Sequence, residues 1–274
     1  MKIKMLLIAA ALTVMAGRAY ALELDRETLW SLKARFAGET VPLPQNKGIF
    51  QGTIRDTAYD DKFFDSVHKL ETSGGWCTAF LIAPSWALTA AHCVTGGNPE
   101  ALWIDRQGRF TKAIGIKNVF KTKNYAKGTP IYHEDFALLQ LASPAPKDLP
   151  FAALAAPEEI KAGVPAMTVG YPDYTYGGKR RIKGVGCSIR SMAGDSLYTD
   201  CPLSLGNSGG PLFVQTSSGW KAAGVVSTHA ILPTGQMIID GPYTTETANL
   251  ATNLSLYLQR IQAVMNGQGQ PPAP

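Results

Sequence analysis

The chain has 274 residues, with 26 Lys and Arg against 21 Asp and Glu, and a formal net charge of +5 at pH 7. Three of the bases lie in an amino-terminal segment that we predict is removed, which leaves 23 bases against 21 acids and a charge of +2. So small an excess of positive charge gives no reason to expect nucleic acid as a partner. The remaining 253 residues suit one large all-β domain or two small ones.

Residues 1–21 have the three parts of a cleavable secretory signal. Two lysines give a basic start, residues 5–16 form a short apolar run, and the small residues Ala19 and Ala21 precede the predicted cleavage site. A membrane anchor would need about 18 or more apolar residues in a row, and this run is shorter. We therefore predict a secreted or periplasmic protein that has no membrane association once the signal is removed.

Residues 22–65 are predicted to form an amino-terminal arm. Its first part, ELDRETLWSLKARFA, has apolar residues near a helical period, which favours a short helix. The following VPLPQNKG favours an irregular connection, because proline lacks an amide hydrogen and biases the residue before it toward extended geometry.

The main domain is predicted over residues 66–266. Short extended runs alternate there with clusters of Gly, Pro, Asn and Asp, which favours an antiparallel all-β domain over a βαβ layout. Near its end the pattern predicts a helix with one apolar face, formed by Leu254, Leu258, Ile261 and Val264. Residues 267–274 are rich in Gly, Gln and Pro and are predicted to be disordered.

The chain has four cysteines, at positions 77, 93, 187 and 201. An even number in an exported chain favours two disulfides, and of the three pairings the economical one joins Cys77 to Cys93 and Cys187 to Cys201. Metal binding is disfavoured, because the chain has no CxxC motif and its four histidines do not have the spacing of ligands. We predict neither a metal nor an organic cofactor.

Three short motifs carry the candidate chemistry: TAAHC with His92, EDFALL with Asp135, and GNSGGP with Ser208. Each motif alone has an ordinary structural explanation: a buried histidine, a residue before a strand, and a tight turn. Together, in the order His, Asp, Ser, they favour nucleophilic catalysis. A neutral imidazole can take the serine proton, and a buried carboxylate can orient the imidazole and balance its charge. Glu134, beside Asp135, is expected to face the other side of a strand.

These motifs resemble those of the chymotrypsin-fold, trypsin-like serine proteases of the bacterial secreted type. AAGVVSTHA and DGPYT extend the resemblance, which covers roughly residues 70–260. It implies two six-stranded antiparallel β-barrels, divided near residues 145–160, and an endopeptidase that cleaves polypeptides through an acyl-enzyme. His92 would be the general base and acid, Asp135 would orient it, and Ser208 would attack. The backbone amides of Gly206 and Ser208 would form the oxyanion hole.

The resemblance also implies a substrate pocket. Ser227 would lie beside Asp135 and the substrate backbone, and Thr228, His229 and Gly241 would line the pocket wall. In the animal digestive enzymes a carboxylate six residues before the nucleophile gives preference for Lys or Arg, and here that position is Pro202. A preference for acidic residues through His229 is the second hypothesis, so the residue preference stays open.

Asn207 departs from the animal digestive proteases, which have an Asp just before the nucleophile. In those enzymes the Asp pairs with a new amino terminus made by cleavage, and that ion pair forms the oxyanion loop. An amide cannot make such a pair, and an unpaired buried ammonium would be costly. We predict that the loop is preformed and held by neutral hydrogen bonds, so that removal of the signal is sufficient.

Two other functions compete with a protease. GNSGG also fits the GxSxG motif of α/β-hydrolase esterases, but that fold requires the order Ser, acid, His, and only the wrong order is available after Ser208. A non-catalytic binding protein on a protease fold remains the alternative, although no member of the predicted triad is replaced. The oligomeric state is not predicted.

Overall fold

The computed structural model describes residues 54–95, 98–122, 125, 134–173, 176–228, 243 and 248–268. The predicted signal segment, the predicted helix of the arm and residues 269–274 of the tail lie outside the described residues. Within the described ranges, no helix is both long enough and apolar enough to span a bilayer.

The described residues contain mostly strands, with one short α-helix near the carboxyl end. The strands are β1 (Ile54–Thr57), β2 (Val67–Thr72), β3 (Gly75–Ala83), β4 (Trp86–Thr89), β5 (Pro99–Arg106), β6 (Arg109–Lys121), β7 (Ala137–Leu141), β8 (Pro165–Gly170), β9 (Ile182–Ala193), β10 (Ser196–Thr199), β11 (Pro211–Thr216), β12 (Gly219–Thr228) and β13 (Asn249–Asn253). The helix α1 (Leu258–Met265) follows a 3-10 turn, Leu254–Tyr257.

The first barrel consists of six antiparallel strands in the closed order β2, β3, β4, β7, β6, β5. Strand β5 pairs back with β2, so the ring has no free edge. Its interior is filled by fully buried aliphatic and aromatic side chains, among them Leu70, Phe80, Leu88, Leu102 and Leu139. Burying a side chain of this size contributes about 1.5 to 3 kcal/mol.

The second barrel has the order β8, β9, β10, β13, β12, β11, and the pairing of β8 with both β9 and β11 closes it. Strand β1 adds to the outer edge of β9. Ile189, Leu197, Leu212 and Val214 are buried in this barrel. The predicted fold of two six-stranded antiparallel barrels with a carboxy-terminal helix is confirmed. The predicted domain boundaries, including the division near residues 145–160, stay predictions.

A buried ion pair connects the start of β9 with the segment before β2. The guanidinium of Arg181 is fully buried and its Nη2 lies 2.6 Å from Oδ1 of Asp65. The same guanidinium donates to the carbonyl oxygens of Ala58, at 3.0 Å, and Val67, at 2.8 Å. A buried charge is tolerated when its donors are satisfied in this way. Residues 54–65, part of the predicted arm, are thereby fixed to the second barrel.

Candidate active site

His92 begins a 3-10 turn, His92–Val94, that follows β4. The next residue, Cys93, forms a disulfide with Cys77 of β3, and the two Cα atoms lie 6.2 Å apart. The backbone beside His92 is therefore covalently tied to the first barrel. The side chain of His92 is 35% exposed, so the outer part of its ring reaches the surface.

Asp135 lies in a tight turn directly before β7, and its side chain is 2% exposed. The N–H of Phe136 donates to the carbonyl oxygen of Glu134 at 2.7 Å, which makes Asp135 the central residue of a γ-turn. Glu134 has a φ of 111°, so it belongs to the turn and not to a strand. The expectation that Glu134 faces the other side of a strand was wrong, because strand β7 begins only at Ala137.

The carboxylate of Asp135 accepts three hydrogen bonds. Its Oδ2 lies 2.7 Å from Nδ1 of His92, and its Oδ1 accepts from the backbone N–H of His92 at 2.9 Å. Ser227, which is buried near the end of β12, donates its hydroxyl to Oδ2 at 2.6 Å. Three donors aimed at one carboxylate stabilise its charged form.

The two ionisable groups shift each other's pKa. Burial lowers the pKa of His92, but the charge of Asp135 and the hydrogen bond with it outweigh burial and raise the pKa above its usual 6.5. Burial raises the pKa of Asp135, while the charge of His92 and the hydrogen bonds from His92 and Ser227 lower it below its usual 3.8. The pair therefore favours an ionised aspartate and an imidazole that accepts a proton readily.

The loop that contains Ser208 is bonded to both barrels. The carbonyl oxygen of Ser208 accepts from the N–H of Thr78 in β3 at 2.8 Å, and the N–H of Gly209 donates to Val226 of β12 at 2.8 Å. Gly209 has a φ of +82°, and a Cβ there would lie 2.2 Å from Oγ1 of Thr89 and 2.9 Å from the amide nitrogen of Ala90. Only glycine lets this loop approach the segment that leads to His92.

The hydroxyl of Ser208 makes no hydrogen bond to any residue that the structure describes, including His92. Hydrogen bonds between a nucleophile and its base are often long before substrate binds and tighten in the Michaelis complex. The loop therefore carries Ser208 to the His92 side of the molecule without a formed bond between the two side chains.

The amides of Gly206 and Ser208 make no backbone hydrogen bond within the described part of the chain. Gly206 has a φ of +88°, and a Cβ at this position would lie 2.2 Å from the carbonyl oxygen of Tyr171. The carbonyl of Leu205 accepts from Asp173 N–H at 2.8 Å, and that of Asn207 accepts from Gly210 N–H at 2.9 Å. Because the C=O and N–H of a trans peptide point in opposite directions, both amides point away from these partners.

Asn207 is buried, with 5% of its surface exposed. Its Oδ1 accepts from the N–H of Ser204 at 3.1 Å, and its own N–H donates to the carbonyl oxygen of Ser204 at 3.1 Å. These bonds, and the bond from Gly210 to its carbonyl, are all between neutral groups.

The predicted pocket residues are only partly described. Pro202 is buried, and its ring faces Gly184 of β9, where a Cβ would lie 2.4 Å from the proline Cγ. Thr228 ends β12 and is half-buried. His229 and Gly241 lie outside the described residues. Asp200, the acid closest in sequence before Pro202, accepts from the N–H of Ser188 at 2.7 Å and lies 3.5 Å from Arg190.

All four cysteines form disulfides. The second joins Cys187 of β9 to Cys201, with Cα atoms 4.9 Å apart, and precedes the Ser208 loop. Among the described residues, one group has the spacing of metal ligands: Cys77, His92 and Cys93. Both of its sulfurs are in the disulfide, and a bonded sulfur provides no thiolate for a metal.

Sequence reasoning did not identify two residues that contact the Ser208 loop. The hydroxyl of Thr78 donates to the carbonyl oxygen of Gly206 at 2.7 Å, and the indole Nε1 of Trp76 donates to Tyr171 at 2.9 Å beside Gly206. Thr78 and Gly206 are 128 residues apart, and neither belongs to a motif that links them. No local signal could have found this contact.

The geometry above agrees with a comparison against known families. The family model described as Trypsin matches residues 56–244, which is more than half of the chain. The chain therefore belongs to the trypsin family of serine proteases.

Several curated relatives match over part of the chain. Serine protease 56 of Mus musculus is 31% identical over 103 residues, which cover 35% of this chain and 17% of the relative. Vitamin K-dependent protein C of Oryctolagus cuniculus is 33% identical over 130 residues, covering 42% of this chain and 26% of the relative. Fibrinolytic enzyme, isozyme C of Lumbricus rubellus is 34% identical over 80 residues, covering 26% and 33%. The matches thus span a third or less of each relative's length.

A solved structure described as a Glu endopeptidase in complex with MPD has a similar fold. The TM-score is 0.64, the sequence identity is 16%, and the match covers 83% of this chain and 100% of that chain. At this identity the likeness supports the fold alone.

Proposed function

We propose that this protein is a serine endopeptidase that hydrolyses peptide bonds through an acyl-enzyme intermediate. The observation that carries the proposal is the carboxylate of Asp135, which holds His92 at both its ring and its backbone and accepts from Ser227. A carboxylate with this environment fixes the ring so that Nε2 faces outward as a base.

Each triad member has a defined role in the proposed reaction. Nε2 of His92 takes the hydroxyl proton of Ser208 while Oγ attacks the carbonyl carbon of the substrate. The same proton passes from His92 to the leaving amine as the C–N bond breaks and the acyl-enzyme forms. Water then attacks the ester carbon and loses a proton to His92, and His92 returns that proton to Oγ of Ser208 as the acyl C–O bond breaks, which leaves a carboxylic acid as the product.

The amides of Gly206 and Ser208 are the proposed oxyanion hole. The negative charge that forms on the substrate oxygen needs donors that are already aimed at it. These two amides are unbonded to other backbone groups in the described part of the chain, and the partners of the preceding carbonyls fix their direction. No metal or organic cofactor is part of this mechanism.

The proposed substrate pocket is formed by Pro202, Ser227, Thr228, His229 and Gly241. Pro202 provides no charge at the position where a carboxylate would select Lys or Arg. The carboxylate of Asp200 is bonded to the N–H of Ser188 and paired with Arg190. The residue preference remains open between a neutral and, through His229, an acidic side chain. The proposed location is secreted or periplasmic, which the two disulfides support because such bonds persist in oxidising compartments.

A non-catalytic binding protein on the same fold is the second candidate. The absence of a hydrogen bond between Ser208 and His92 favours it. Against it, the residues at all three triad positions are able to carry out the chemistry, and nothing in the described site blocks the hydroxyl with another acceptor.

Hydrolysis of a peptide library tests the proposal. The purified protein and its Ser208→Ala variant are incubated with peptides of mixed sequence, and the products are identified by mass spectrometry. We expect cleavage by the unchanged protein alone, with one preferred residue before the cleaved bond. A folded protein that leaves the library intact would contradict the proposal, and cleavage mainly after Lys or Arg would contradict the uncharged pocket floor.

A further inference from the structure

We propose that Thr78 is a positioning residue that fixes the peptide group lying between the two proposed oxyanion donors, the amides of Gly206 and Ser208. The inference rests on the proposed protease function and goes beyond it, because Thr78 itself touches neither substrate nor reacting atoms. It acts through the peptide group between Gly206 and Asn207.

Thr78 holds the Ser208 loop at two points. It is fully buried in β3, and its Oγ1 donates to the carbonyl oxygen of Gly206 at 2.7 Å. Its backbone N–H donates to the carbonyl oxygen of Ser208 at 2.8 Å. One residue of the first barrel therefore holds the loop on both sides of Asn207.

The direction of the Thr78 hydroxyl is fixed by Tyr171. The N–H of Tyr171 donates to Oγ1 of Thr78 at 3.1 Å. A hydroxyl has a single hydrogen, so with a lone pair occupied by Tyr171 the hydrogen is free to point at Gly206. Tyr171 is itself fully buried, and its own hydroxyl donates to Asp105 at 2.8 Å. The hydroxyl of Thr78 is thus oriented by a rigid part of the core.

Three consecutive peptide groups of the loop have bonded carbonyls. Leu205 is bonded by the N–H of Asp173, Gly206 by the hydroxyl of Thr78, and Asn207 by the N–H of Gly210. The hydroxyl of Ser204 also donates to the carbonyl oxygen of Leu205, at 3.2 Å, and Thr78 provides the side-chain donor to Gly206. Glycine has wide backbone freedom, so without the bond to its carbonyl the peptide after Gly206 could rotate, which would change the position of the Ser208 amide relative to the Gly206 amide.

This arrangement gives the loop a support that does not require a new amino terminus. The support runs from the backbone N–H of Tyr171 through the hydroxyl of Thr78 to the carbonyl of Gly206, and all of these bonds are between neutral groups. The neutral bonds of Asn207 are consistent with it. Thr78 therefore links the stable core to the orientation of the proposed oxyanion hole.

Thr78→Val is the test variant, because valine keeps the shape of the side chain and removes the hydroxyl. We expect kcat to fall at least tenfold with KM changed less than threefold, since the oxyanion interaction strengthens in the transition state. Removing an oxyanion donor itself lowers kcat about 100-fold to 1,000-fold, and the loss in Thr78→Val should not exceed that range. A peptide aldehyde, which forms an oxyanion on Ser208, should lose affinity in parallel with kcat/KM. Thr78→Ser, which restores the hydroxyl, should recover most of the activity.

Thr199→Val is the matched control. Thr199 is also fully buried, its Oγ1 donates to the carbonyl oxygen of Ser188 at 2.8 Å, and it accepts from the N–H of Cys201 at 3.1 Å. The two variants therefore lose the same kinds of hydrogen bond, but Thr199 lies in β10 and does not contact the loop. Melting temperatures of both variants separate a general loss of stability from a loss of positioning.

The outcomes distinguish this inference from the proposed function. A tenfold or larger loss of kcat in Thr78→Val, with Thr199→Val close to the unchanged protein, supports the role of Thr78. Equal kcat values in the two variants, or no recovery by Thr78→Ser, would overturn it while leaving the protease function intact. If Thr78→Val does not fold, Thr78→Ala removes the same hydroxyl and is judged by the same criteria. If the protein without any substitution does not hydrolyse peptides, both proposals are overturned.

Discussion

Asp135 contacts His92 at two separate points, with Oδ2 at 2.7 Å from the ring Nδ1 and Oδ1 at 2.9 Å from the backbone nitrogen. The first contact selects the ring tautomer, and the second fixes the backbone from which the ring projects. Because the aspartate comes from the turn before β7 and the histidine from the turn after β4, neighbouring strands of one barrel align them. The proposed base is therefore held by the first barrel before any substrate binds.

Asp135→Asn tests this relationship. The amide would donate to Nδ1 of His92 instead of accepting from it, which favours the wrong tautomer, and we expect kcat to fall by about 10⁴-fold. Steady-state kinetics measure the effect. Asp148→Asn is the control, because Asp148 forms an exposed ion pair with Arg106, and its kcat should change less than twofold. Similar losses in the two variants would contradict the role of Asp135.

The pH dependence of kcat/KM tests the electrostatics of the pair. The neutral form of His92 is the proposed base, and its pKa is raised above 6.5 because Asp135 outweighs burial. Activity should therefore rise with pH through a midpoint above 6.5. In Asp135→Asn only burial remains, which lowers the pKa, so the residual activity should have its midpoint at lower pH. A midpoint that does not move would show that the carboxylate does not control the titration.

Asn207→Asp tests the neutral bonding of the nucleophile loop. A carboxylate at this buried position would face neutral partners, and an uncompensated buried charge costs about 3 to 5 kcal/mol of stability. Burial would raise the pKa of the new acid, so the loss should be small at low pH and grow as pH rises through that pKa. Melting temperatures at pH 5 and pH 8 measure the difference. An equal loss at both values would exclude a charge effect.

An amino-terminal extension tests the same loop by another route. We expect an extended form to keep full kcat/KM, because the loop is bonded by Thr78, Ser204 and Gly210. Asp65 is paired with the buried Arg181, so a new terminus at this position would disturb the core. Activity that depends strictly on cleavage near residue 65 would contradict the prediction of a preformed loop.

The two disulfides provide a paired prediction. They close loops with sequence separations of 16 and 14 residues, and each should contribute about 3 kcal/mol to the free energy of unfolding. Replacing either pair by serine should therefore lower stability by a similar amount in urea denaturation. Loss of the Cys77–Cys93 bond should reduce kcat/KM further, because it holds the neighbours of His92 and Thr78. A larger catalytic loss from the other pair would contradict this assignment.

Apolar runs and regular turn signals were sufficient to predict an antiparallel all-β domain, because both are local features of strands, whereas the two six-stranded barrels were implied by the resemblance of the motifs to a known family. The sequence also identified His92, Asp135 and Ser208 as candidates, since each lies in a short motif of recognisable chemistry. The φ of 111° at Glu134 was not predictable, because a positive φ at a residue other than glycine depends on the surrounding fold.

The support of the Ser208 loop was also beyond the sequence. Thr78 and Gly206 lie in different barrels, and Tyr171, which orients the Thr78 hydroxyl, is 93 residues from Thr78. Such contacts arise only when two barrels are packed against each other. The motifs were enough to predict the reacting side chains. The neutral side chains that support the Ser208 loop are determined by how the two barrels pack, which no local pattern encodes.

Covalent labelling by an organophosphonate serine probe shows whether His92 activates Ser208 as a nucleophile. The probe reacts only with a serine whose proton is taken by a neighbouring base, and the modified residue is identified by mass spectrometry of peptides. We expect one label per chain, on Ser208, and a loss of labelling in both Ser208→Ala and His92→Ala. Folded protein that stays unlabelled at Ser208, or that is labelled equally after His92→Ala, would show that His92 does not activate Ser208.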